Sequence, residues 1–468
     1  MNIYSYHSFR LMKTCIYCLL LISFFIGGIS WFGTTSLYDH EEFIPLPTES
    51  FISRDDSLVH RLMETPNTTY VIERDYMFKD TLVIPNNCEL RFRGGTMHGP
   101  IIFNNTLLSG NVNLVGASLK GSIRNKRFYT SWNCYRDGKH DDAPNINSAV
   151  RVCNEIYFSK GTYALNSRHT PNCAVNIKAL EDKVDACIGI FRDSVHFFSK
   201  EDVTLVTNYP YNTICVYSPP NKIEASIKDI SINGLNFVSI NKGDIFHEFV
   251  HTIKVIGVNG LTIRNCVFND FWGDAICLSH YGDTPNTGER TRNINVRVIC
   301  NKIRGGEHHN NRNGISVISG ENVYIYKNTI SQTSKSNMPG AIDVEPNNSA
   351  NYVYDIKISR NHIKNCMGTA GGICIHANKY GGKINKVTIE DNTIEACSSG
   401  IAFVVMDSLK SGDYIIKNNN LRKNKRSFLF VGKGYSYNWI VENNKCRDDL
   451  FKSNFGGSIH IKSLKKNK

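Results

Sequence analysis

From about Ile227 onward, short runs of alternating apolar and polar residues return in one arrangement. A β-branched pair at alternate positions leads into Asn-x-apolar, then a variable loop, then a small residue that opens a second alternating run. The anchors are Asn265-Cys266-Val267, Asn301-Lys302-Ile303, Asn328-Thr329-Ile330, Asn361-His362-Ile363, Asn392-Thr393-Ile394 and Asn419-Asn420-Leu421. They recur at intervals of roughly 25 to 36 residues, within the range of repeat architectures. The second runs are Ala275–Leu278, Gly314–Val317, Ala341–Val344, Gly372–Ile375 and Gly400–Phe403. No long amphipathic helix lies between them to make βαβ crossovers, so the spacing predicts an all-β solenoid, a parallel β-helix with each coil stacked on the last.

In such a solenoid isoleucine and valine line the inside, because alternate residues of a strand share a face and successive coils bury the same ladder. Asparagine is expected at the bends. It tolerates left-handed backbone, and its amide can bond to neighbouring backbone or to its counterpart one coil on. Cys366 and Cys397 each lie five residues past an anchor, which stacks one above the other.

Composition and the N-terminal segment add compartment and partner. Over 468 residues, 41% hydrophobic, 11% aromatic and 21% charged residues exclude a disordered, collagen-like or polytopic membrane chain. Arg10 and Lys13 precede an apolar run from Cys15 to Phe32 that reads as an export signal, setting residues 1–35 apart. Gly28-Ile29-Ser30 offers a small-residue cleavage site, and an uncleaved single-span anchor is the rival reading. Either way the body is exported, to the periplasm, the cell surface or the medium. Lys and Arg outnumber Asp and Glu by 54 to 42, and the resulting +12 favours polyanionic partners. The basic tail at 462–468 is simplest as a solvated terminus, and without a zinc-finger, basic-zipper or RNA-binding signature nucleic acid is not expected. Fifteen cysteines, two of them in the apolar run, leave an odd number without metal-ligand spacing; they read as small buried hydrophobes, not as a disulfide framework.

Ahead of the repeats stand Trp132, Asp137-Gly138, Asp141-Asp142 and, further on, Gly161-Thr162-Tyr163. Tryptophan, Asp-Gly-x-x-Asp-Asp, a short helix and a strand ending in Gly-Thr-Tyr, followed by these repeats, resembles the pectate-lyase-like superfamily of right-handed parallel β-helix proteins, in its exported bacterial type. The resemblance covers about residues 65–461 and departs at Asn133-Cys134-Tyr135, where small residues are usual. Asp141 or Asp142 can cap a helix whose first turn accepts Pro144, with Ile146, Ala149 and Val150 plugging the solenoid end. Asp137, Asp141 and Asp142 therefore read as structural. The expected divisions are a small β module at 60–130, an opening segment with the capping helix and first coils at 131–225, the main repeats at 226–461 and the tail.

Chemistry is sought on the outward positions of the second strands. Alignment gives one column of Cys277, Ser316, Asp343, Cys374 and Ala402, and another of Ser279, Ile318, Glu345, His376 and Val404. Asp343 and Glu345, two apart on a strand, point the same way, and His376 lies one coil on, so these three are the first catalytic candidates. Paired carboxyls serve glycoside hydrolysis. Asp274 and His280 flank the same face two coils earlier and join them. The loops Tyr281–Arg290, Arg304–Arg312 and Asn378–Gly382 would wall the groove, making Arg304, His308, His309, Arg312, Lys379 and Tyr380 candidates to hold an anionic sugar. Glu307-His308-His309 matches no tight metal-ligand pattern. In a β-eliminating lyase Lys379, Arg312 or His376 would instead be the base, and Ca²⁺, the one candidate cofactor, would sit on Asp343 and Glu345. The resemblance implies lyases, hydrolases and epimerases alike. The sequence thus points to cleavage of an acidic polysaccharide, by hydrolysis or β-elimination; the alternatives are a non-catalytic glycan-binding or surface protein, in which Asp343 and Glu345 are a solvated or sheet-stabilising pair.

Overall fold

The computed structural model describes residues 63–169, 185–218, 227–240, 245–280, 292–306, 311–336, 338–377, 382–405, 412–432 and 438–446, with strands at 43–45, 450–453, 460–461 and 464–466. The chain divides into the units Met1–Phe43 and Ile44–Lys468, and the stacked coils belong to the second. The apolar run at Cys15–Phe32 lies outside the described residues, among which no helix is long and apolar enough to cross a membrane.

The repeats form a parallel β-helix of three sheets. Among the described residues ten successive coils each contribute one strand to every sheet, as in Asn293–Ile299 to sheet A, Lys302–Gly305 to sheet B and Ile315–Val317 to sheet C, and a first and a last coil add strands to A and B alone. Sheets A and B have 12 strands and sheet C has 10. In sheet C, Ile276, Ile315, Ile342, Ile373 and Ile401 stand in register, all at 0% exposure. Matching columns of Ile, Val and Phe from A and B close the core around them. Each such residue contributes about 1.5–3 kcal/mol of apolar burial, so the stack is held chiefly by these columns.

Between sheets A and B runs a ladder of buried asparagines. The Oδ1 of Asn361 accepts both the N–H of Asn328 at 2.9 Å and its Nδ2 at 3.0 Å, while its own Nδ2 donates to Ile325 O and to Asn392 Oδ1, each at 3.0 Å. Asn301, Asn328, Asn392 and Asn419 repeat this, and Asn444 ends it. The two duties expected of one asparagine are divided between neighbours. The residue before each ladder position takes the left-handed backbone, as Lys327 (φ 54°), Arg360 (φ 55°), Asp391 (φ 56°) and Asn418 (φ 57°) do. One anchor is displaced: Val267 pairs with Lys302, so Cys266, not Asn265, is level with Asn301 and donates its N–H to Asn301 Oδ1. Asn265 is the left-handed residue of that coil, at φ 53°. Cys366 and Cys397 are buried and unbridged, and each thiol donates to a carbonyl two residues earlier, Lys364 O and Glu395 O.

At the N-terminal end the helix Ala143–Val152 buries Ile146, Ala149 and Val150. Asp141 Oδ1 accepts the N–H of Ala143, whereas Asp142, at the cap position, takes the N–H groups of Tyr135 and Arg136 at 2.7 and 2.9 Å. Asn133 is fully buried and donates to Asn145 O, tying the segment to the helix. Ahead of it, strands between Thr69 and Ile123 make short parallel sheets of their own.

Candidate active site

The outward column of sheet C is in the expected register, Lys254, Cys277, Ser316, Asp343, Cys374 and Ala402 lying side by side. It is not a solvated surface. These residues are 0–6% exposed, which overturns the reading of Asp343 as a solvated charge. Part of the cover comes from the segments that lead into the strands. The Nδ2 of Asn313 reaches over both Ser316 Oγ and Asp343 Oδ2, each at 3.2 Å.

That segment belongs to a second polar ladder, two residues before the core isoleucines. Asn212 Oδ1 accepts the N–H of His251 at 2.8 Å, His251 Nδ1 accepts that of Asp274 at 3.1 Å, and Asp274 Oδ1 accepts that of Asn313 at 2.9 Å. All four residues are buried. Asp274 therefore satisfies backbone and anchors its neighbours. Burial acts to raise its pKa, but His251, Arg312 and the Asn313 N–H outweigh that and hold it below its ordinary value. Burial lowers His251, opposed by the Asp274 carboxylate, whose Oδ2 lies 3.3 Å from the same Nδ1. His251 went unnoticed in the sequence, although alignment on the core isoleucines places it level with Asp274.

His251, Asp274 and Cys277 bring three ligating atoms within 4.8 Å of one another. They do not suit a metal ion. The Nδ1 lone pair is used by the Asp274 amide, burial pushes the Cys277 thiol up, and Lys254 and Arg312 add positive charge beside it.

Asp343, Glu345 and His376 do come together. The His376 Nδ1 donates to Glu345 Oε1 at 2.8 Å, both side chains being half-buried. That hydrogen bond raises His376 above its ordinary pKa. Burial, and after it the Glu345 carboxylate, pushes Asp343 up to about 7. Its Oδ1 and the Oδ1 of Asn313 are buried without a partner, although the two groups already share one hydrogen bond. Among the described residues these oxygens are too few for the six to eight that Ca²⁺ takes, and Glu345 is held by an imidazolium, so Asp343 and Glu345 do not fit a calcium site.

The remaining candidates fall differently. His280 Nε2 accepts from Asn348 at 3.2 Å, closing the loop after Glu345 back across two coils. Arg312 pairs with Glu248 at 2.9 Å and lies 3.9 Å from Asp274, so it braces the wall and is not free for a sugar carboxylate. Arg304 belongs to no loop. It is exposed on sheet B, in register with Asn269 and Ser331, because its strand continues one residue past the apolar Ile303. His308, His309, Lys379 and Tyr380 lie outside the described residues.

No protein-family profile matches the chain, and no curated protein matches it by sequence. Solved structures do match in chain path. PfbA, a surface adhesin of Streptococcus pneumoniae, is 13% identical, with 87% of this chain and 88% of that one covered at a TM-score of 0.33. The A-module of the mannuronan C-5 epimerase AlgE6 of Azotobacter vinelandii is 11% identical, with 73% and 98% covered at 0.36. A family 28 exopolygalacturonase of Yersinia enterocolitica is 9% identical, with 85% and 75% covered at 0.31.

Proposed function

We propose that the protein is exported and hydrolyses glycosidic bonds of an acidic polysaccharide on the sheet C face, with Asp343 as general acid and Glu345 as general base, positioned by His376. The observation that carries this reading is the unlike surroundings of the two carboxyls: Asp343 is buried and keeps its proton up to about pH 7, while the half-buried Glu345 is hydrogen-bonded to His376. A buried carboxyl held protonated beside a carboxyl engaged by an imidazole is an arrangement that acid and base roles can use. The same geometry argues against β-elimination. The His376 Nδ1 is committed to Glu345, and Arg312 to Glu248 and Asp274.

A non-catalytic, glycan-binding reading has an observation of its own, since Asp343 is only 6% exposed and the polymer must uncover it. A panel of acidic and neutral polysaccharides, with and without Ca²⁺, separates the two when reducing ends and unsaturated-uronate absorbance are followed together. Reducing ends without absorbance, lost in Asp343→Asn and Glu345→Gln, are expected. Absorbance would mean elimination, and silence across the panel would leave binding as the function.

A further inference from the structure

Sheet A carries a second candidate surface on another side of the solenoid. In six consecutive coils one residue of the sheet A strand adopts left-handed backbone at the same level: Asp229 (φ 58°), Gly260 (φ 85°), Asn295 (φ 56°), Asn322 (φ 53°), Asp355 (φ 54°) and Lys386 (φ 56°). Each left-handed residue turns its strand without shifting the pairing, and stacked in register these turns crease the sheet along the solenoid axis. The result is a trough of about 940 Å³, lined from His196 to Lys357. At about 4.8 Å per coil its six coils span about 24 Å, the shape of a site for an extended polymer and not for a compact ligand.

Its floor is rich in groups that bond hydroxyls. Asn322 Nδ2 donates to Asn295 Oδ1 at 2.6 Å and Asn295 Nδ2 to Asn259 Oδ1 at 2.8 Å, and the carboxylates of Asp229 and Asp355 lie beside them. Along one wall runs the register row Ser231, Thr262, Arg297, Tyr324 and Lys357. Arg297 and Lys357 are exposed and flank the half-buried Tyr324 one coil to either side. Arg297 makes no ion pair among the described residues, and Lys357 reaches Glu390 at 2.6 Å. An aromatic face beside the cation Arg297, with a second cation, Lys357, shared with Glu390 one coil further on, suits a sugar ring with an anionic substituent on its neighbour.

We propose that this trough binds a strand of anionic polysaccharide, lying along the solenoid axis on Tyr324 between Arg297 and Lys357. It would hold polymer independently of the sheet C site, and it rests on the reading that polysaccharide is the partner. Affinity electrophoresis of the full chain through gels containing polygalacturonate, alginate or chondroitin sulfate tests it, with neutral dextran and single-stranded DNA as controls. At least one anionic glycan is expected to retard the protein, and Arg297→Ala with Lys357→Ala to weaken that retardation by about ten-fold. Tyr324→Ala is expected to weaken it several-fold, whereas Lys364→Ala, exposed on sheet B, leaves it unchanged. Equal thermal midpoints check that the surface variants fold. Retardation by no anionic glycan, by DNA alone, or undiminished in the double variant overturns the proposal, as does an equal loss in Lys364→Ala. Trough-dependent retardation without any cleavage would uphold the trough and refute the hydrolase reading, so the two fail separately.

Discussion

Asp343→Asn should stabilise the protein while abolishing hydrolysis, and should do so only where Asp343 would otherwise ionise. Asp343 titrates at about 7 in the folded chain against an ordinary 3.8, because burial first, and the Glu345 carboxylate second, penalise its charge. The folded state thus holds a proton that the unfolded chain releases from about pH 4 upward. The stability this provides is complete below that pH and is lost as pH rises through about 7. At about 1.4 kcal/mol per pH unit, some three units amount to about 4 kcal/mol by pH 8. The substitution removes the buried charge and places an N–H donor beside the unpartnered Oδ1 of Asn313. In urea unfolding with matched slopes, the variant is expected to equal the parent within about 1 kcal/mol at pH 4.5 and to exceed it by about 3–4 kcal/mol at pH 8. An equal effect at both pH values, or destabilisation at pH 8, would refute the account of why Asp343 keeps its proton. Stability gained as cleavage is lost is the trade expected where a strained polar group serves function.

Three further outcomes can be checked independently. Asn361→Ala removes four buried hydrogen bonds from the ladder, so chemical unfolding should register a loss of about 4 kcal/mol, against under 1 kcal/mol for an exposed polar residue such as Lys364. Glu345→Gln removes the principal cause that raises His376, so the imidazole pKa followed by NMR should fall; an unchanged value would mean another group holds the ring. At Asn265, with φ 53°, glycine should be tolerated within about 1 kcal/mol and valine should cost about 1–2 kcal/mol more in thermal unfolding, the reverse of what a ladder asparagine would show.

How far the site was legible depends on which interactions are local. The Ile276 to Ile401 column could be aligned from the chain because strand periodicity repeats it in every coil, and with it came the outward row containing Asp343. The adjacency of Glu345 and His376 came from the same alignment. The offset at Cys266 was hidden because Asn265-Cys266-Val267 satisfies the asparagine pattern as written, and only strand pairing shows the shift of one residue. His251 was invisible for another reason. Its role is to accept an amide N–H from a residue 23 positions later, which leaves no periodic mark of its own.

What the sequence determined by itself is the coil: short alternating strands, asparagine bends and a core of β-branched residues, since these depend on residue type and spacing within one turn of the solenoid. Only the tertiary structure decided which outward positions are wet. Cys277, Ser316, Asp343 and Cys374 lie under cover, Arg312 is spent in ion pairs, and Arg304 is on sheet B. The physical reason is that an outward position is set by strand alternation, whereas its exposure, and hence its proton affinity, depends on segments of other coils that fold across it.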